Sequence, residues 1–288
     1  MRKLVAGAGV VAVGLAATLA VASPASAAPR NEGAACIQAG ISTLKDLGLL
    51  QAAAQKKVDY STLANPTTGP IFTTLPTGSY LSLGQVVKLP DGKLVVTRFG
   101  HGKAGDVVYA NPDGTSGTVP KLDPLRSRIG LAATSDGTLY EAFFFSKDGV
   151  KSGGIARIDL TGTEAEVIGG LKKPVGVLAL GGELVVSDQV AGTILRAPVG
   201  SPDKQVVVAK VPEPDLLCAG PEGTFFTGGK TGSVRQVLGS GEVKELSGGF
   251  QDVRGVAYDG QKKRLFVADH DRNEADGITH HLRILPVD

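Results

Sequence analysis

The stretch Gly176-Val177-Leu178-Ala179, Gly181-Gly182-Glu183-Leu184-Val185-Val186-Ser187-Asp188, Gly192-Thr193-Ile194-Leu195-Arg196, Gln205-Val206-Val207-Val208 decides the fold. It holds four short runs rich in Val, Ile, Leu and Thr, separated by glycine turns. That is the signature of consecutive antiparallel strands. The same grammar returns four more times. Gly84-Gln85-Val86-Val87 leads through Asp91-Gly92 to Leu94-Val95-Val96-Thr97, and Gly130-Leu131-Ala132-Ala133 through Asp136-Gly137 to Leu139-Tyr140-Glu141-Ala142. Leu216-Leu217-Cys218-Ala219 leads through Glu222-Gly223 to Phe225-Phe226-Thr227, and Gly255-Val256-Ala257-Tyr258 through Lys263 to Leu265-Phe266-Val267-Ala268. The turn glycines at 92, 137, 182 and 223 are 45, 45 and 41 residues apart. A period of roughly 40–45 residues suits one four-stranded blade per repeat.

The expected fold is therefore all-β: a β-propeller of five four-stranded blades over residues 70–288. A degenerate sixth copy in the leader is the alternative. The fifth copy ends at Pro286-Val287-Asp288, one outer strand short, while Ile71-Phe72-Thr73-Thr74-Leu75 is an outer-type strand without a blade. The N-terminal strand is expected to complete the last blade and close the ring, which removes an unpaired edge. Composition agrees: 40 Gly and 16 Pro are scattered without collagen's period, and 42% apolar residues exclude global disorder.

The start of the chain reads as an address. Met1-Arg2-Lys3 is basic, Leu4 to Ala22 is apolar and uncharged, and Ala25-Ser26-Ala27 is a small-residue cleavage site. This is the layout of a secretory signal peptide over residues 1–27, cleaved after Ala27. A spanning anchor is the alternative, opposed by the Ser23-Pro24 break. Cleavage removes two of the 30 basic residues and none of the 28 acidic ones, so the mature charge is near zero. Nucleic acid is thereby a poor partner, and no membrane contact is expected after cleavage. A monomer is expected, with a small molecule or an extracellular protein as partner. Residues 28–69 read as a helical leader and linker, with Ile37, Ile41 and Leu44 on one face. In an oxidising compartment Cys36 and Cys218 allow one disulfide. Two unpaired thiols, with Cys218 a small buried apolar residue, is the other reading.

Propeller loops at one end of the inner strands converge on the axis. The residues just after the second strand include Arg98, Asp188 and Asp269, and those just before or at the first strand include Asp215 and Arg254. Asp188, Asp215 and Asp269 could hold Ca²⁺ or another hard cation through oxygen, beside Arg98, Arg128 and Arg254. An ion-paired, solvated channel mouth is the alternative. His270 and His281 flank one loop and could meet as ligands. No Gly-x-Ser-x-Gly motif is present, so enzymatic activity is left open.

The units Pro174-Val175-Gly176-Val177, Leu184-Val185-Val186-Ser187-Asp188 and Arg254-Gly255-Val256-Ala257, Leu265-Phe266-Val267-Ala268-Asp269 resemble NHL-type repeats and the gluconolactonase, regucalcin and strictosidine-synthase-like propellers. The resemblance implies a divalent metal at the central channel, held by a Glu, by Asn residues including one in Pro-Asn-Gly, and by an Asp after an inner strand. Pro174-Val175-Gly176 stands at the Pro-Asn-Gly position, and Asp188 and Asp269 stand at Asp positions. Two functions follow as expectations. One is a secreted binding or scaffold propeller with a ligand site at one face. The alternative is a metal-dependent lactonase or esterase-like hydrolase at the channel.

Overall fold

A computed structural model of the chain describes residues 83–100, 105–270 and 281–287. The expected signal segment, the expected helical leader and the expected outer strand at 71–75, with Cys36 and His280, lie outside the described residues.

The described chain is five antiparallel sheets in sequence order. The first holds β1 (Leu83–Lys88), β2 (Leu94–Arg98), β3 (Asp106–Ala110) and β4 (Ser116–Thr118). The second holds β5 (Ser127–Ala133), β6 (Leu139–Lys147), β7 (Val150–Ile158) and β8 (Glu164–Leu171). The third holds β9 (Pro174–Leu180), β10 (Glu183–Asp188), β11 (Thr193–Pro198) and β12 (Val206–Lys210). The fourth holds β13 (Pro214–Ala219), β14 (Phe225–Gly229), β15 (Val234–Val237) and β16 (Val243–Ser247). The fifth has three strands, β17 (Val253–Asp259), β18 (Arg264–Asp269) and β19 (His281–Pro286). Strand order within each sheet is sequential, so each sheet is a meander and each is one propeller blade. Helix is almost absent from the described residues; one 3-10 turn spans Pro221–Gly223.

The hairpin turns explain why the repeat is so visible. Gly92 and Gly137 both sit at φ +88°, a conformation that costs glycine least. The Asp before each accepts a hydrogen bond from the backbone N–H two residues on: Asp91 from Lys93 (3.1 Å) and Asp136 from Thr138 (3.1 Å). These side chains fix the turn locally, which is why Asp-Gly marks it.

The first strand of each blade lies beside the first strand of the next, from β1 to β5, β9, β13 and β17. Their glycines allow the close approach. A Cβ on Gly130 would stand 2.7 Å from the Val175 carbonyl oxygen and 2.8 Å from the Val177 nitrogen. Gln85 on β1 fills the centre: its Nε2 donates to the Leu217 carbonyl in blade four (3.4 Å), and its Oε1 accepts from the Leu131 N–H in blade two (3.3 Å). Apolar side chains fill the seams between blades in four clusters, with Phe143, Phe225, Phe226, Leu184 and Ile194 fully buried among them.

The expected Cys36–Cys218 bridge is not formed. Cys218 carries a free thiol packed beside Phe226 and Val256 in the seam of blades four and five. Burial pushes this thiol up to about 12, which makes it an inert apolar filler.

Candidate functional site

The end of the ring where second strands finish and first strands begin is built by two carboxylates. Asp188, at the end of β10, is 2% exposed and accepts three backbone hydrogen bonds: from Lys172 (2.7 Å), Lys173 (2.9 Å) and Ala191 (3.1 Å). Asp269, at the end of β18, accepts from Gln251 (3.0 Å) and Asp252 (3.4 Å), and from Arg283 Nε (3.0 Å). Both clamp the loop that enters the first strand of their own blade. The clamps fix the residue just before that strand, Lys173 in blade three and Asp252 in blade five. Asp188 and Asp269 are therefore positioning groups, with their oxygens occupied by N–H donors.

The clamped residues meet others in a hydrogen-bonded arc. Lys173 Nζ donates to Gln189 Oε1 (2.5 Å), and Gln189 Nε2 donates to Asp215 Oδ2 (3.1 Å). Arg254 donates to the same Asp215 oxygen (3.0 Å) and lies 3.7 Å from Asp252 Oδ2. Asp215 Oδ1 accepts from the Leu216 N–H (3.0 Å). Phe144 from blade two forms an apolar wall. Lys173 Nζ is 5.2 Å and Lys151 Nζ 6.0 Å from its ring centroid, and the Phe99 ring lies tilted beside it, centroids 5.9 Å apart.

The electrostatics of the arc are strained. Burial, helped by Lys151, Lys230 and Arg254, pulls Lys173 down to about 8 against the attraction of Asp215. Burial also pushes Asp215 up to about 6; Asp252 adds to the rise and Arg254 opposes it. Lys151, Lys230 and Arg254 thus act as cations on Lys173, while Arg254 also pairs with Asp215 and lies beside Asp252. Perturbed acid and base groups together at one mouth are what functional sites share.

Of the residues expected from sequence, Asp215 and Arg254 come together in this arc. Arg98 forms an ion pair with Asp106 across β2 and β3. His270 is exposed and donates its backbone N–H to the Asp252 carbonyl (2.8 Å). Asp188, Asp215 and Asp269 do not converge. Among the described residues no group of three or more His, Cys, Asp or Glu is placed to hold a metal ion. With each carboxylate saturated by N–H donors and cations converging on the mouth, these residues do not fit a divalent cation. Sequence reasoning missed Lys173, Gln189 and Asp252. The Lys172-Lys173-Pro174 run ahead of β9 was the available signal.

Arg128 is not at the mouth. It is fully buried in the seam of blades one and two. Its Nε donates to both oxygens of Glu141 (3.0 and 2.9 Å) and its Nη2 to Glu164 (2.7 Å). Its Nη1 donates to the carbonyls of Gly105 (2.5 Å), Asp123 (2.9 Å) and Arg126 (3.2 Å). Burial pushes Glu141 up to about 8, and its retained proton bonds Glu164. Burial of Glu164 acts upward, but the Glu141 proton, the Asp123 N–H and Arg128 outweigh it and hold that carboxyl below its ordinary value. This network closes the seam between blades one and two. At the other end of the ring, an open groove of about 460 Å³ runs past Leu89, Gly137, Arg157, Ile158 and Thr163.

No protein-family model and no curated protein matches the chain. Solved structures match its fold. A gluconolactonase from Xanthomonas campestris is 16% identical with a TM-score of 0.55, covering 70% of this chain and 72% of that one. A luciferin-regenerating enzyme is 13% identical with a TM-score of 0.56, covering 70% and 77%. Virginiamycin B lyase from Staphylococcus aureus, in a catalytically inactive form with quinupristin, is 16% identical with a TM-score of 0.52 and coverage of 68% and 65%. The chain spans just under two thirds of that lyase's length. At these identities the likeness is one of fold: the chain is similar to β-propellers of the gluconolactonase and lyase type.

Proposed function

We propose that the protein is an exported, monomeric binding propeller that takes a small organic anion at the mouth formed by Lys173, Gln189, Asp215 and Arg254. One observation carries this reading: three further cations, Lys151, Lys230 and Arg254, act on the buried Lys173, which lies against an aromatic wall and is linked to Asp215 through Gln189. An anionic ligand would relieve the repulsion among Lys173, Lys151 and Lys230, and this differential favours the bound state. Arg254, 41% exposed at its side chain, is the accessible guanidinium, with the fork geometry that suits a carboxylate. Titration of the purified protein with a panel of small carboxylates at low salt should show saturable binding. Arg254→Gln is expected to weaken it by about 10- to 100-fold, as loss of a charge-assisted hydrogen bond does. Binding unchanged in the variant would sink the reading.

A second reading, hydrolysis of a lactone or ester at the same mouth, is favoured by one feature. Asp215 and Lys173 place an acid and a base in one hydrogen-bonded arc. The gluconolactonase of similar fold is consistent with it. No step through a divalent metal is derived, because the carboxylates do not fit one.

Blade five has three described strands where the other four blades have four, and on its last strand, β19, Leu282 (71%) and Ile284 (54%) are exposed. The outer strand expected at residues 71–75 lies outside the described residues.

A further inference from the structure

We infer that Lys173 is a nucleophilic amine that forms an imine with a small aldehyde or ketone carrying a carboxylate. The inference rests on the anion-binding reading and adds a covalent step to it. Lys173 is the one buried lysine among the described residues, at 8% exposure. It comes from the loop before β9, where Asp188 accepts its backbone N–H at 2.9 Å. That clamp fixes where the side chain starts. Gln189 fixes where it ends, through the 2.5 Å contact of Nζ with Oε1. The ammonium faces groups from blade two (Phe144, Lys151), blade four (Asp215, Lys230) and blade five (Arg254). Its head therefore lies where four blades converge.

Two physical features suit this amine to addition. Burial and neighbouring cations keep an appreciable share of it neutral near pH 8; desolvation and a second cation activate lysines in this way. The arc also contains a counter-ion for the product: Asp215, linked to Lys173 through Gln189, is ionised above about pH 6. The step balances as follows. The amine lone pair forms a C–N bond as the carbonyl π pair moves to oxygen, and one nitrogen proton passes to that oxygen. The carbinolamine hydroxyl then leaves as water, taking a proton from solvent, and the nitrogen lone pair forms the C=N bond. The product is an iminium cation beside the Asp215 carboxylate. The ligand's own carboxylate would pair with Arg254. That pairing selects an oxo acid over a neutral aldehyde.

The test uses glyoxylate as probe and cyanoborohydride to reduce the imine, on the intact protein near pH 8, read by peptide mapping. Lys173 should gain one carboxymethyl group about tenfold or more faster than any exposed lysine, because ordinary lysines are almost wholly protonated at this pH. Propionaldehyde should lose most of that preference, and excess oxalate, an anion without a reactive carbonyl, should protect Lys173. In Lys173→Arg, which keeps the charge, the fast label should vanish. Mapping of the unaltered protein stands even if that variant folds poorly. Labelling spread over exposed lysines with Lys173 no faster overturns the inference. If oxalate still binds in the titration, the anion site survives that failure; if neither probe engages the mouth, both readings fall.

Discussion

Arg128→Met is expected to destabilise the protein by about 3–5 kcal/mol, the usual cost of stranding one partner of a buried ion pair. The substitution removes donors from Glu141, Glu164 and three backbone carbonyls, with Glu141 and Gly105 buried and the others partly buried. For a chain of this size that is a fall in melting temperature on the order of ten degrees. Glu141→Gln should behave differently. It keeps a neutral group beside Arg128 and a donor toward Glu164, so stability near neutral pH should change little. Its signature is the pH dependence. Glu141 is raised from 4.5 to about 8 in the folded protein, so the native state holds a proton that the unfolded chain releases. The stability this group contributes is present below about pH 4.5 and is lost as pH rises to about 8. Urea unfolding across that window should show a downward slope that Glu141→Gln flattens. Glu164 is shifted the other way, so its contribution is lost at more acidic pH, below that window.

Asp188→Ala has the next largest effect, about 2–4 kcal/mol, because three N–H donors at the mouth lose a charged acceptor together. Some of the loss returns as water enters, which keeps it below the sum of three separate bonds. The same loss is expected in chelator and in millimolar Ca²⁺, since the carboxylate is a clamp for the Lys172–Lys173 backbone. A metal-ligand role would give the opposite pattern: Ca²⁺ would stabilise the unaltered protein and leave the variant unchanged. Anion binding should weaken in Asp188→Ala as well, because Lys173 loses its fixed starting point.

The blades were legible because their information is local. An Asp-Gly turn and four short apolar runs repeat within 45 residues, and each turn is fixed by its own side chain. The end of the ring where these loops gather was legible too, since it follows from strand order. Roles within that end were not. The first strands begin with irregular pairing: register shifts fall between Ser187 and Asp188, between Pro214 and Leu217, and between Val253 and Gly255. A bulge re-aims side chains by one position. The residues facing the mouth thus became Lys173, Gln189 and Asp252, of which Gln189 adjoins the expected Asp188 and Asp252 stands two residues before the expected Arg254. Arg128 moved for the same reason. Pairing shifts between Arg128 and Leu131, and the side chain enters the seam of blades one and two. Cys218 illustrates a different limit. Its pairing depended on a distant segment, and the seam that buries it beside Phe226 is set by blade packing, which spacing alone does not encode.

The most direct test of the channel-mouth site is a crystal structure of the protein soaked with a carboxylate that the titration shows to bind, such as oxalate. The account predicts ligand density within hydrogen-bond distance of Lys173 Nζ and the Arg254 guanidinium, against the Phe144 ring. Density confined to the groove beside Gly137 and Arg157 at the opposite end of the ring, with the mouth unchanged, would contradict it.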